Sequence, residues 1–296
     1  MRTSTAQPAA VPDTGAASPW LAQIKCTLSS GPVMVALVVL LFLVALAVFA
    51  PWLGTTDPSL LDSAQRLKPI SAAHLLGTDG FGRDVYSRVI YGTRVSLAVG
   101  LGTVAISVGI GLLIGVMAGY FRPADAIVMR VMDGMMAIPG ILLAIALVTL
   151  SGASLFTVLV AISIPEIPRV ARMVRSVILG VRHEPYVEAA LILGTRVPAL
   201  MWRHMMPSTL APLIVQGTYI FASAILTEAV LSFLGAGIPP EIPSWGNVMA
   251  ENRGYFMMLP GLILYPGILV SLTVLSINVL GDALRDALDP RMARRI

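Results

Sequence analysis

The chain has 296 residues, of which 56% are hydrophobic and only 12% charged, with a formal net charge of +4. A soluble domain carries about 25% charged residues, so this composition excludes an ordinary water-soluble enzyme and a disordered chain and points to one lipid-embedded domain. A single cysteine, Cys26, excludes an intrachain disulfide and a multi-cysteine metal site.

Residues 1–31 are rich in Ala, Pro, Ser and Thr and read as a disordered tail. A bilayer core about 30 Å thick needs roughly 20 apolar residues per helix. Val33–Leu53 supplies 21 uncharged residues. Signal-peptide apolar regions are shorter, about 7–15 residues, and Pro51 blocks cleavage after Ala50. The segment 32–53 is therefore a retained first transmembrane helix, followed by an outer loop over 54–91. A second span lies between Arg94 and Arg122. Its Gly111, Gly115 and Gly119 share one helix face, which suits close helix packing more than a pore role. The 32 uncharged residues from Gly134 to Pro165 are broken at Ser151–Ser154. They read as parts of two spans, roughly Ala126–Leu150 and Ser154–Arg172. Met205–Thr227, continuing past Glu228 to Leu234, is the fifth span, and Leu259–Leu280 the sixth. Residues 92–285 thus hold a five-helix core, and 286–296 form a tail. The expected fold is an all-α membrane protein with six transmembrane helices.

With six spans both termini share one side. That side holds 14 of the 20 basic residues, among them Arg169, Arg172, Arg175, Arg182, Arg196 and Arg203. The other 6 are Arg66, Lys68, Arg83, Arg88, Arg94 and Arg253. The positive-inside rule makes both termini cytoplasmic.

Several chemistries are missing. A phosphate-cradling loop needs Gly-Lys followed by Ser or Thr, and neither Lys25 nor Lys68 follows glycine. Gly100-x-Gly102-x-x-Ala105 matches a dinucleotide pattern but sits inside a span rather than after a strand. His74, His183 and His204 are scattered, so neither a metal nor a catalytic site is indicated. No basic tract with interleaved aromatics suggests nucleic acid.

The cytoplasmic stretch Arg169–Met206 is neither apolar enough to span nor polar enough for disorder. Glu184-Pro185-Tyr186-Val187-Glu188-Ala189-Ala190-Leu191-Ile192-Leu193-Gly194 reads as a short helix. Pro185 fits its first turn, Glu184 and Glu188 its positive end, and Gly194 its stop. Thr195 is placed to cap a second short helix reaching Pro207. Ala189 and Ala190 give a small-residue patch for docking into a partner groove. An amphipathic linker on the membrane surface fits the same pattern.

Glu188-Ala189-Ala190-x3-Gly194-x12-Pro207 resembles the EAA signature of binding-protein-dependent ABC importer permeases. His204-Met205-Met206-Pro207 resembles the form found in the dipeptide/oligopeptide/nickel branch, with Met206 for Leu and Ser208 for Asn. Leu76-Gly77-Thr78-Asp79-Gly80-Phe81-Gly82-Arg83-Asp84 resembles that branch's motif before the second span. Leu231-Ser232-Phe233-Leu234-Gly235 with Pro243-Ser244-Trp245-Gly246-Asn247 resembles its fifth-span exit and following loop. The likeness covers residues 32–292.

The resemblance implies a type I ABC importer permease fold in a bacterial inner (plasma) membrane. It implies a coupling helix that carries Glu184, Tyr186, Glu188, Ala189, Ala190 and Gly194, with His204 and Pro207 behind it. The implied partners are a second homologous permease subunit, two cytoplasmic ATPases that bind the ATP and Mg, and an extracytoplasmic substrate-binding protein. This chain would hold no cofactor and catalyse no reaction. The solute class would be peptides or a related small solute. Trp245 and Asn247 in the 236–256 loop are candidate binding-protein contacts, although Trp245 fits an interfacial aromatic belt equally well. The charges of Gly77–Arg88 read as an internally paired turn. Gln216, Tyr219, Ser223 and Thr227 share one face of the fifth span, with Glu228 at its end. A hydrated translocation path and interhelical hydrogen bonding both fit that face. A secondary transporter driven by an ion gradient is the alternative, but no internal repeat or midplane charge marks one. An intramembrane enzyme lacks a nucleophile–base motif.

Overall fold

The computed structural model describes residues 30–288, which are helical apart from turns and loops; among them only an isolated antiparallel bridge joins Thr78 to Asp84. Cys26 and the two tails lie outside the described residues. Helix α1 spans Gly31–Phe49 and ends in a 3₁₀ turn, Ala50–Trp52. Its outer face, with Val35, Val38, Leu41 and Phe42, is exposed, as a lipid-facing helix requires. After the outer loop, α2 runs over Val85–Tyr120, 36 residues. It begins nine residues before Arg94 because Asp84 caps it, accepting from the Ser87 amide at 2.8 Å and the Ser87 hydroxyl at 2.6 Å. Arg94 is accommodated within the helix by donating to the Ala47 and Val48 carbonyls at the end of α1.

The six-span expectation meets its main departure in the next segment. The predicted third span is two helices, α3 (Arg122–Met136) and α4 (Gly140–Ser151), bent by 88° at the break. Pro139 lacks an amide hydrogen and ends the α3 direction. The predicted fourth span is also two helices, α5 (Leu155–Ser163) and α6 (Ile167–Val181), because Pro165 and Pro168 flank Glu166 and restart the hydrogen-bond ladder. Helices α7 (Pro185–Ile192) and α8 (Val197–Leu200) follow, then a π turn over Met201–Met205 and a 3₁₀ turn over Met206–Thr209. Helix α9 covers Leu210–Phe233, α10 Trp245–Glu251, and α11 Gly261–Leu288 with Pro266 inside it. Among the described residues, four helical stretches are long and apolar enough to cross a membrane: Gly31–Trp52, Val85–Tyr120, Val197–Phe233 and Gly261–Leu288. The bent α3–α4 pair makes a fifth if it counts as one span.

The glycine row of α2 packs, as expected. A Cβ at Gly111 would stand 2.6 Å from Val170, one at Gly115 2.6 Å from the Ala171 carbonyl, and one at Gly119 2.7 Å from Ile178. Only glycine lets α2 and α6 approach this closely. Asp125 of α3 and Arg175 of α6 form a bidentate pair, Arg175 Nε and Nη2 donating to the two carboxylate oxygens, and Arg172 bonds Asp133 at 2.6 Å. Helix α2 is therefore the central post, with α6 on one side and α1 and α9 on others.

Candidate coupling helix, outer cap and translocation face

Helix α7 is built as its residues dictate. Pro185 occupies the first turn after Glu184. At the other end Gly194 has φ +81°. The Gly194 amide donates to the Leu191 carbonyl and the Thr195 amide to Ala190, at 3.0 and 3.1 Å. These two bonds form a Schellman motif, which needs a left-handed residue at the Gly194 position. Thr195 is thus still closing α7 and does not cap the next helix; Arg196 precedes α8, with Pro198 in its first turn.

The two faces of α7 differ. Val187 and Ala190 are buried with Val116, Val174, Ile178, Leu200 and Met205 in one cluster. Ala190 therefore faces the chain's own core, not a partner groove, because the short helix must bury its inner stripe to be held at all. Glu184, Tyr186, Glu188 and Ala189 are exposed. So are Leu191, Ile192 (86%) and Leu193 (85%), an apolar tip beside Gly194. The Tyr186 hydroxyl donates to the His204 carbonyl at 3.4 Å. Pro207 opens the 3₁₀ turn leading into α9.

At the opposite end, the charged motif is paired, and its partner comes from far along the chain. Asp79 accepts from the amides of Phe81 and Arg83 and from Arg83 Nε at 2.7 Å. Arg83 Nη2 and Arg88 Nη2 both donate to Glu251 Oε2, at 2.7 and 2.8 Å. Arg83, Arg88 and Asp79 are buried, so the two positive and two negative groups neutralise one another where water is excluded. Gly82 (φ +77°) turns where a Cβ would run into the Asp62 carbonyl.

Trp245 and Asn247 are placed differently from expectation. Trp245 is fully buried (0%), its indole Nε1 donating to the Val89 carbonyl at 3.2 Å. It is neither a surface anchor nor a belt residue, since its ring fills the space between α2 and α10. Asn247 is also buried, and its Nδ2 donates to the carbonyls of Ile238, Pro239 and Ile242 at 2.9–3.1 Å. It holds the proline-rich loop. Glu228 is likewise turned inward. Its Oε1 accepts from Ser232 and Ser244 hydroxyls at 2.8 and 2.7 Å, so it ties α9 to α10 and lies off the polar face.

The other residues of the α9 face differ in exposure. Tyr219 is 53% exposed, and Gln216, Ser223 and Thr227 are half-buried. Tyr219, Ser223 and Thr227 line a cavity of about 290 Å³ together with Glu166 and Arg169 of the α5–α6 junction.

Residues 111–294 match the model of the binding-protein-dependent transport system inner membrane component. The chain belongs to this family. Residues 30–69 of the permease match the N-terminal transmembrane domain of oligopeptide transport permease C. The permease is 54% identical over 250 residues to the "Probable peptide ABC transporter permease protein y4tQ" of Sinorhizobium fredii, covering 84% of this chain and 86% of that one. It is 38% identical to the dipeptide transport system permease protein DppC of Alkalihalophilus pseudofirmus, covering 99% of both chains. A glutathione transport system permease protein, GsiD of Pectobacterium atrosepticum, is 40% identical over 85% of this chain and 84% of its own. The methionine ABC transporter MetNI in an inward-facing conformation shares the fold at TM-score 0.54 and 21% identity, covering 68% of this chain and 96% of that one.

In this permease, sequence reasoning missed Ile192 and Leu193, Glu251 and Glu166. The sequence marks the first two only as part of the short helix, with no role assigned to them. Glu251 pairs across 168 and 163 residues, a distance no local pattern reports. Glu166 did leave a signal, a carboxylate between two prolines inside a predicted span.

Proposed function

We propose that the chain is one of two permease subunits of an ATP-driven importer for di- or oligopeptides or a related small solute. A second, homologous permease supplies the other half of the pathway. Two cytoplasmic ATPases bind the ATP and Mg, and an extracytoplasmic binding protein delivers the solute. The subunit sits in a bacterial inner membrane with both termini cytoplasmic, the orientation favoured by the 14-to-6 basic bias. Relatives named for peptide, dipeptide and glutathione transport support the solute class.

The observation that carries the reading is the two-sided α7. One side is locked into the α2–α6 cluster, and the other exposes Leu191, Ile192 and Leu193. A helix held this way transmits a push from a docked ATPase directly to α2 and α6. ATP binding brings the ATPases together, the coupling helices move with them, and the pathway reopens toward the binding protein. The chain itself makes and breaks no covalent bond, so the free energy enters through the partners' differential affinity for the two states. Gly194→Asp tests the reading. The variant is expected to insert at the wild-type level, because Gly194 is exposed and a Cβ there meets nothing within 4 Å, but to lose ATP-driven uptake, because a side chain at φ +81° strains the turn that ends α7. Unchanged uptake would contradict the assignment.

A further inference from the structure

We propose that Glu166, with Arg169 beside it, forms a recognition subsite for the free amino end of a peptide on the translocation route. This rests on the reading of the chain as a peptide importer permease and adds the residue that engages the solute. Glu166 precedes α6 and is 8% exposed. Its Oε1 accepts from Arg169 Nη1 at 2.7 Å, and its buried Oε2 has no hydrogen-bond partner among the described residues. A buried carboxylate oxygen left without a donor is costly, and such groups concentrate where a ligand completes them.

Its placement adds to the argument. The Ser107 hydroxyl donates to the Ser163 carbonyl at 3.1 Å, and Gly111 lies against Val170. Glu166 is therefore level with residues 107–111 of α2, at the junction where α6 begins to pack against that helix. The cavity it lines, about 290 Å³, also carries Tyr219, Ser223 and Thr227, the face of α9 singled out independently by its spacing.

The chemistry suits a peptide end. Glu166 Oε2 accepts from an ammonium, Arg169 keeps donors for a carbonyl, and the three hydroxyls serve either role. The volume lies near the low end for small-molecule sites, about 300–1,000 Å³, which fits one end of a peptide. Because Glu166 and Arg169 neutralise each other, the subsite holds a zwitterion weakly and releases it, as passage requires.

The test uses the complete transporter without its binding protein, in nanodiscs, with radiolabelled alanylalanine as probe. Saturable binding is expected, competed by unlabelled alanylalanine but not by N-acetyl-alanylalanine. Glu166→Gln is expected to weaken binding roughly tenfold or more, the effect of losing one charge-assisted bond, while Glu166→Asp retains most of it. Equal competition by the acetylated peptide, unchanged binding in Glu166→Gln, or no saturable binding at all would overturn the subsite. Loss of the second permease on purification of Glu166→Gln would also overturn it, by showing that the carboxylate faces a partner subunit. Binding-protein-dependent uptake by the wild type is measured alongside, so that failure of the importer reading itself is seen separately.

Discussion

Glu251 is the residue on which the outer cap turns. It receives Arg83 and Arg88 on a single oxygen, and without it two buried guanidinium groups would share Asp79 as their carboxylate partner among the described residues. Removing one partner of a buried pair costs about 3–5 kcal/mol. Glu251→Ala is expected to lower the thermal unfolding temperature of the purified transporter clearly, whereas Glu241→Ala, at an exposed position in the same loop, leaves it unchanged. Trp245→Ala belongs to the same scale. Truncating a buried aromatic costs about 3–5 kcal/mol, so this variant is expected to reduce the amount of folded permease, measured by size-exclusion chromatography. A folded Trp245→Ala variant defective only in binding-protein docking would contradict the buried placement. The sequence pointed to Trp245 as a surface feature because three prolines surround it. Instead Trp245 is held against α2 through Val89 and Ser96, and Asn247 gathers the loop by the carbonyls of Ile238, Pro239 and Ile242, contacts that spacing alone does not reveal.

At the scale of elements, local chemistry was readable and long-range bending was not. Pro185, Gly194 and the acidic first turn marked α7 to within two residues. The glycine row of α2 announced a close neighbour, and α6 is that neighbour. The same rules did not reveal that the stretch around Pro139 turns by 88°, since hydropathy measures length and not direction. The Ala190 reading failed for a related reason. A helix of eight residues shows barely two turns, too few for a periodic pattern to say which side is inward. Gly115→Leu is expected to force α2 from α6, because even a Cβ would stand 2.6 Å from the Ala171 carbonyl. The expected outcome is loss of stable protein in detergent, while Gly109→Leu, with open space around it, is tolerated.

For the whole molecule, the 14-to-6 division of the basic residues accompanies ion pairs that bind elements together: Arg83 and Arg88 with Asp79 and Glu251, Arg175 with Asp125, and Arg169 with Glu166 beside the cavity. In the proposed importer the ATP site lies on partner subunits, which would dock at the exposed tip of α7. Ile192 and Leu193 touch little of the chain itself, so their replacement by aspartate should leave folding intact and weaken ATPase attachment. The most direct measurement is dipeptide uptake into proteoliposomes that hold this chain, the second permease and the ATPases, with the loaded binding protein present. The account predicts uptake that requires ATP, survives collapse of the proton gradient, and falls at least roughly tenfold in Ile192→Asp/Leu193→Asp. Uptake that persists without ATP but stops when the proton gradient is collapsed would contradict it.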